Sequence, residues 1–175
     1  MTSKTTLTGA AGEYFVMSEL LKRGYVVALA PVGVPKADIV VTDEDGNKQA
    51  AIQVKSRRYA GGDGGWHMSK KHEDIIGDHL LYCFVNFRDQ ATDVFVIPSA
   101  VVASVVREAH AKWLATPGKN GRVRNDSNMR RITPSYSSIF QDGPNPYPDG
   151  WMDRYRDAWE EYLGVPQRDP DRETV

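Results

Sequence analysis

Along the first quarter of the chain, apolar residues return every three or four positions. Ala10, Tyr14, Val16, Met17, Leu20 and Leu21 form one stripe at the helical period. The spacing predicts a helix from about Thr8 to Arg23, stopped by Gly24. The period then changes. YVVALA and ADIVVT are β-branched apolar runs separated by the proline- and glycine-punctuated PVGVPK, and both read as strands. TDEDGNK holds an Asp45-Gly46 pair suited to a hairpin turn, with QAAIQVKS as the returning strand. The glycine-dense stretch RRYAGGDGGWHMSKK reads as a mobile loop or lid, followed by a short helical piece from about Ser69 to Gly77. LLYCFVNF and TDVFVIP are two buried strands, and Pro98-Ser99 opens a long helix, SAVVASVVREAHAKWLA, stopped by TPG. Residues 118–150 are loop-rich, with one strand around MRRIT. WMDRYRDAWEEYLG reads as a closing amphipathic helix with Trp151, Tyr155, Trp159 and Tyr162 or Leu163 on one face. The layout predicts a single α/β domain over residues 1–165, a mixed central sheet flanked by helices, with residues 166–175 as a frayed tail.

Polar residues interrupt this pattern at informative places. Glu13 falls near the centre of the first helix's apolar stripe, where a carboxylate belongs only if it sits at the rim, is paired, or holds a metal. Asp38 stands at the start of a strand otherwise made of Ile39, Val40 and Val41. On the returning strand, side chains alternate, so Ile52 and Val54 take one face while Gln53 and Lys55 take the other. A hairpin in the right register brings Asp38 close to Gln53 and Lys55. Glu13, Asp38 and Gln53 are three hard oxygen donors, a set suited to Mg²⁺, with Mn²⁺ as a substitute. An ammonium beside such an ion suits hydrolysis of a phosphodiester. Taken singly, each residue also has an ordinary structural reading: Asp38 as a turn cap, Gln53 as an edge-strand residue, Lys55 as a solvated charge.

Composition narrows the class. The 175 residues are 41% hydrophobic and 26% charged, ordinary for a globular protein, and no apolar run approaches membrane-spanning length. The N-terminal stretch lacks the apolar centre of a signal peptide, so a cytoplasmic protein is expected. Cys83 is the single cysteine, which excludes an internal disulfide and a cysteine-based zinc site. His67, His72 and His79 lack a zinc-helix spacing and read as surface or loop residues. The formal charge of −1 conceals an asymmetry, because residues 142–175 carry nine acidic and four basic side chains. Two basic clusters lie in the rest of the chain: Arg57, Arg58, Lys70 and Lys71 beside Lys55, then Lys119, Arg122, Arg124, Arg130 and Arg131. Both are candidate contacts for a nucleic-acid backbone, and solvated loops are the plain alternative.

The GxxGE of the first helix, Asp38, and the Gln53-Val54-Lys55 tripeptide together resemble the PD-(D/E)XK nuclease superfamily, over roughly residues 9–97. The likeness is to the branch with Holliday-junction resolvases and restriction-type DNases that carry glutamine in the tripeptide. It implies a restriction-endonuclease-like fold and Mg²⁺-dependent cleavage of DNA. It further implies that Glu13, Asp38, Gln53 and the Val54 carbonyl are metal ligands and Lys55 the catalytic lysine. A homodimer is the expected assembly. Two departures stand out: Ala37 replaces the proline before Asp38, and Gln53 replaces the more usual acidic residue, which weakens the pull on a cation. A nuclease fold with weak or no activity, serving as a nucleic-acid-binding or protein-interaction module, is therefore the competing expectation.

Overall fold

The computed structural model describes residues 4–47, 49–58 and 64–165. The expected tail at 166–175 and the middle of the glycine-rich loop lie outside these residues. Helix α1 (Lys4–Lys22) starts four residues before the expected Thr8. It ends as the sequence predicts, with Gly24 in the left-handed region at φ 87° and the Tyr25 N–H returning to the Leu20 carbonyl at 3.1 Å. The strands β1 (Val26–Leu29), β2 (Ile39–Thr42) and β3 (Gln49–Arg58) follow. Between β2 and β3, Gly46 takes φ 76° and the Asn47 N–H donates to the Asp43 carboxylate at 2.7 Å. Then come β4 (Trp66–Ser69), a 3-10 turn at Lys70–Glu73, β5 (Leu80–Phe87), β6 (Thr92–Pro98) and α2 (Ser99–Ala115). The chain closes with β7 (Met129–Ile132) and the short α3 (Trp159–Leu163).

Five strands form one mixed sheet in the order β1-β2-β3-β5-β6. Only the β3–β5 pair is parallel. One face is covered by Val16 and Leu20 of α1 with Trp159 and Leu163 of α3, packed on Ile39, Ile52, Val54, Cys83 and Val96. The other face presents Tyr82, Phe84, Phe95 and Ile97 to Val102, Val105 and Val106 of α2. Trp66, Met68 and Ile132, from an antiparallel β4–β7 ribbon, complete that side. Being covered on both faces, β5 reads as a continuous apolar run from Leu80 to Val85 rather than an alternating one. This is the restriction-endonuclease-like class of fold expected from the sequence. Among the described residues no helix is long and apolar enough to cross a membrane.

Three expectations are corrected. WHMS, read as part of a loop, is the strand β4, whose inward Trp66 and Met68 alternate with outward His67 and Ser69. The short helix expected from Ser69 to Gly77 is a single 3-10 turn. The closing helix is broken: Asp157 takes φ 50°, and Arg156 bridges to Phe95 of β6. An isolated residue in the left-handed region ends a helix, so the segment keeps a 3-10 turn at Asp153–Tyr155 and an α-helix at Trp159–Leu163.

Candidate active site

The site is built where β2 stops and β3 continues. The β2–β3 ladder ends at Ile39 opposite Ile52, and the Asp38 N–H closes it on the Ile52 carbonyl at 2.8 Å. Beyond that point β3 keeps β5 on one side, Gln53 through Arg58, and has no β2 residue on the other. The Asp38 carboxylate fills the start of this open edge. Its Oδ2 accepts the Val54 N–H at 2.7 Å and a hydrogen bond from the Gln53 Nε2. In an extended strand a residue's N–H and C=O point the same way, so the Val54 carbonyl also faces the open edge.

Helix α1 reaches this edge because Gly12 lies directly on β3. A Cβ there would come within 1.7 Å of Ser56 Oγ. Glu13 is the next residue and is half-buried. The stripe predicted for α1 is therefore rotated: Gly12, Val16 and Leu20 are buried, while Tyr14 and Leu21 are exposed. Glu13 sits at the rim of the packed face, where its charge interacts with those of Asp38 and Lys55. Its carboxyl is held above the ordinary carboxylate range, first by burial and then by the negative charge of Asp38, with Lys55 opposing. The Lys55 ammonium is shifted down by burial, against the pull of Asp38 and Glu13 and with the push of Lys71. Glu13, Asp38, Gln53 and Lys55 thus meet at one edge of the sheet, drawn from a helix, a strand entrance and a strand interior.

The donor set fits a hard, oxygen-seeking cation. Two carboxylates close enough for one to raise the other are relieved by positive charge between them. The Val54 carbonyl and Gln53 Oε1 are neutral oxygens suited to the same ion. Glu13, Asp38, Gln53 and the Val54 carbonyl include none of the softer histidine or cysteine ligands that zinc favours, and among the described residues no group of three or more His, Cys, Asp or Glu is placed to hold a metal.

Behind Lys55 lies a buried pair that the sequence reading missed. His72, expected at the surface, is 3% exposed, and its Nδ1 lies 2.7 Å from the Tyr82 hydroxyl. Tyr82 is the β5 partner of Gln53 in the parallel ladder. Burial, then the charges of Lys55 and Lys71, pulls His72 down to about 4, so the imidazole is neutral at physiological pH. The sequence signal was Tyr82 within the apolar run LLYCFV, a hydroxyl that needs a partner when buried.

The β4–β7 ribbon joins the two basic clusters, with His67 opposite Arg131 and Met68 opposite Arg130. Lys119, Arg122 and Arg58 are exposed, as is Lys71. Others are engaged within the chain. Arg57 stacks on Trp66 with its guanidinium 4.0 Å from the ring and donates to Asn86 at 3.0 Å. Arg124 covers Trp113 and donates to its carbonyl. Lys70 pairs with Asp126 at 3.0 Å. Arg130 is the correction: its side chain is 2% exposed and paired with Glu73, and it also donates to the Ser127 and Met129 carbonyls. A guanidinium so enclosed is a structural tie, not a surface phosphate contact.

No protein-family model matches the sequence, and no curated protein matches it. Among solved structures, the bacterial homing endonuclease I-Ssp6803I is similar with a TM-score of 0.53 at 16% identity, over 94% of this chain and 95% of that one. The Archaeoglobus fulgidus Holliday junction resolvase Hjc gives a TM-score of 0.42 at 17% identity, over 79% of this chain and 91% of that one. At such identities the likeness to the homing endonuclease is one of fold, and it extends over nearly the whole of both chains.

Proposed function

We propose that the protein is a Mg²⁺-dependent endonuclease, served also by Mn²⁺, that hydrolyses DNA phosphodiester bonds. The observation that carries this reading is the convergence of Glu13, Asp38, Gln53 and Lys55 at the open edge of β3. The fold shared with a homing endonuclease supports it. In this reading Glu13, Asp38, Gln53 Oε1 and the Val54 carbonyl hold the ion. When bound, the ion supplies a positive charge for the phosphoryl oxygens and lowers the pKa of a water. Lys55 donates to the phosphoryl oxygen on which charge builds, and burial keeps its ammonium from being screened by bulk water. The Gln53–Asp38 hydrogen bond fixes the carboxylate's rotamer. In this reading Arg58, Lys71, Lys119, Arg122 and Arg131 serve as contacts to the nucleic-acid backbone. One site cuts one strand, so duplex cleavage calls for two copies, a homodimer. The exposed apolar residues Val26 and Val40 of the β1–β2 hairpin offer it a surface.

One observation favours a second reading, a DNA-binding module with little cleavage: the Gln53 amide donates to Asp38 where a carboxylate would add a third negative charge. Plasmid nicking with Mg²⁺ or Mn²⁺ separates the two. Cleavage that is abolished by EDTA, by Lys55→Ala and by Asp38→Ala is the expected result. Retained DNA binding with no cleavage by the unaltered protein refutes the enzyme and selects the module.

A further inference from the structure

The β4–β7 ribbon has two unlike faces. Its inner face is fixed in the core: Trp66, Met68 and Ile132 are buried, and the Trp66 Nε1–H donates to the Val85 carbonyl at 2.9 Å. Arg130, also turned inward, is tied to Glu73. The Tyr136 hydroxyl holds the backbone of β7 by donating to the Arg131 carbonyl at 2.7 Å. The outer face carries His67 and Ser69 of β4 with Met129 and Arg131 of β7. The register sets His67 opposite Arg131 and Ser69 opposite Met129, so the four side chains share one surface without a carboxylate.

The cross-strand partners His67 and Arg131 are placed differently. A Cβ at Gly65 would lie 2.7 Å from Arg131 Cγ and 2.8 Å from its Cδ. The Arg131 stem therefore leans over the bare Gly65 backbone, at the end of the ribbon where β4 begins. His67 is exposed, and Ser69 follows it on the same face. Imidazole and hydroxyl can each donate and accept hydrogen bonds, as base edges require. A guanidinium at the margin suits a phosphate. The ribbon is also joined to β3 beside the candidate site. Lys55 and Arg57 share one face of β3, and the Arg57 guanidinium lies 4.0 Å from the Trp66 ring. Two residues of strand span about 7 Å, less than the width of a DNA major groove, about 12 Å, which admits a two-stranded ribbon.

We propose that the outer face of the β4–β7 ribbon reads sequence in the major groove of duplex DNA, with His67 and Ser69 contacting base edges and Arg131 holding a flanking phosphate. This rests on the reading that DNA enters at the open edge of β3, and it goes beyond a basic backbone surface by naming the residues that select a sequence. The anchored inner face suits the task, because side chains already held in register lose little freedom on binding.

The test is selection in EDTA from a duplex library with about 10 randomised base pairs, one helical turn, followed by sequencing of the bound fraction. Anisotropy of the enriched duplex across about 50–200 mM KCl gives the salt slope. The parent enriches a short motif. His67 is exposed and the Ser69 hydroxyl makes no capping bond to the turn that follows, so both alanine variants fold as the parent does. His67→Ala loses about tenfold discrimination at adjacent base pairs and keeps the salt slope. Ser69→Ala relaxes a neighbouring pair. Arg131→Ala keeps the motif, weakens binding to every sequence, and lowers the slope of log affinity against log salt by about 0.9. The proposal is overturned if the parent binds DNA with no motif, if His67→Ala and Ser69→Ala keep full discrimination, or if Arg131→Ala is the variant that relaxes it. An enriched motif without cleavage under Mg²⁺ or Mn²⁺ removes the enzyme reading and leaves the ribbon's role standing. Cleavage by a protein that enriches no motif does the reverse, and no binding at the lowest salt overturns both.

Discussion

Gly9 and Gly12 lie on the same helix, one turn apart, and their replacement by alanine should have opposite effects. At Gly9 a Cβ meets nothing within 4 Å, whereas at Gly12 it lies 1.7 Å from Ser56 Oγ, 2.8 Å from Ser56 Cβ and 3.4 Å from Val54 Cγ1. Both substitutions gain about 1 kcal/mol of helix preference. Gly9→Ala should therefore stabilise the protein by about that amount. At Gly12 the Ser56 hydroxyl can rotate away, since it is buried without a hydrogen-bond partner. Its Cβ is fixed by β3 and cannot. Restoring a contact of about 3.5 Å requires α1 to lift by about 0.7 Å, and overpacking of this kind costs about 1–3 kcal/mol. The two variants should thus differ by about 1–3 kcal/mol in urea unfolding followed by far-ultraviolet circular dichroism. Because Glu13 follows Gly12, the same lift displaces its carboxylate. A misplacement near 1 Å costs about 100-fold in rate, so cleavage by Gly12→Ala should fall far more than its stability does. Equal stabilisation by both alanines, or parent-like cleavage by Gly12→Ala, refutes the argument that this close approach positions Glu13.

Two further outcomes follow from the site. Gln53→Glu removes the N–H donor to Asp38 and sets carboxylate against carboxylate. In EDTA it should lose about 1–3 kcal/mol of stability, and Mg²⁺ should raise its melting temperature more than it raises that of the parent. Identical metal-induced shifts would sink this. His72 binds its proton only near pH 4 in the folded protein, against an ordinary value of 6.5, so the unfolded chain protonates first. Its contribution is therefore fully present above about pH 6.5 and is lost as pH falls towards 4, by about 2 kcal/mol after solvent screening. His72→Gln should flatten the stability profile in that window, and parallel profiles for the two proteins would contradict the assignment.

Elements that bury one regular stripe or run were readable from residue order alone: α1, β1 to β3, β5, β6 and α2. Asp38, Gln53 and Lys55 were legible because strand alternation and a hairpin register are local rules. Glu13 was conspicuous as a carboxylate in an apolar stripe, but its place at the rim depends on Gly12 touching β3, a contact between segments about 40 residues apart. Arg130 looked like its basic neighbours because its partner, Glu73, is 57 residues away. His72 was hidden for the same reason, since nothing near it in sequence announces burial. In β4 the Trp66/Met68 alternation was present, yet the adjoining glycines pointed to a loop. The closing segment carried a helical period that Asp157 breaks in favour of β6.

The β4–β7 ribbon also sets an order of events during synthesis. Glu13, Asp38, Gln53 and Lys55 all leave the ribosome within the first third of the chain, but Trp66–Ser69 must wait for Met129–Ile132. Glu73 waits equally long for Arg130. Pairings so distant in sequence close late because their loop entropy must be overcome first. A nascent chain thus owns its reactive groups well before it owns a fixed place for the turn beside them. Ribosome-bound intermediates of this protein should hold nucleic acid poorly until about three-quarters of the chain has emerged and Met129–Ile132 has docked.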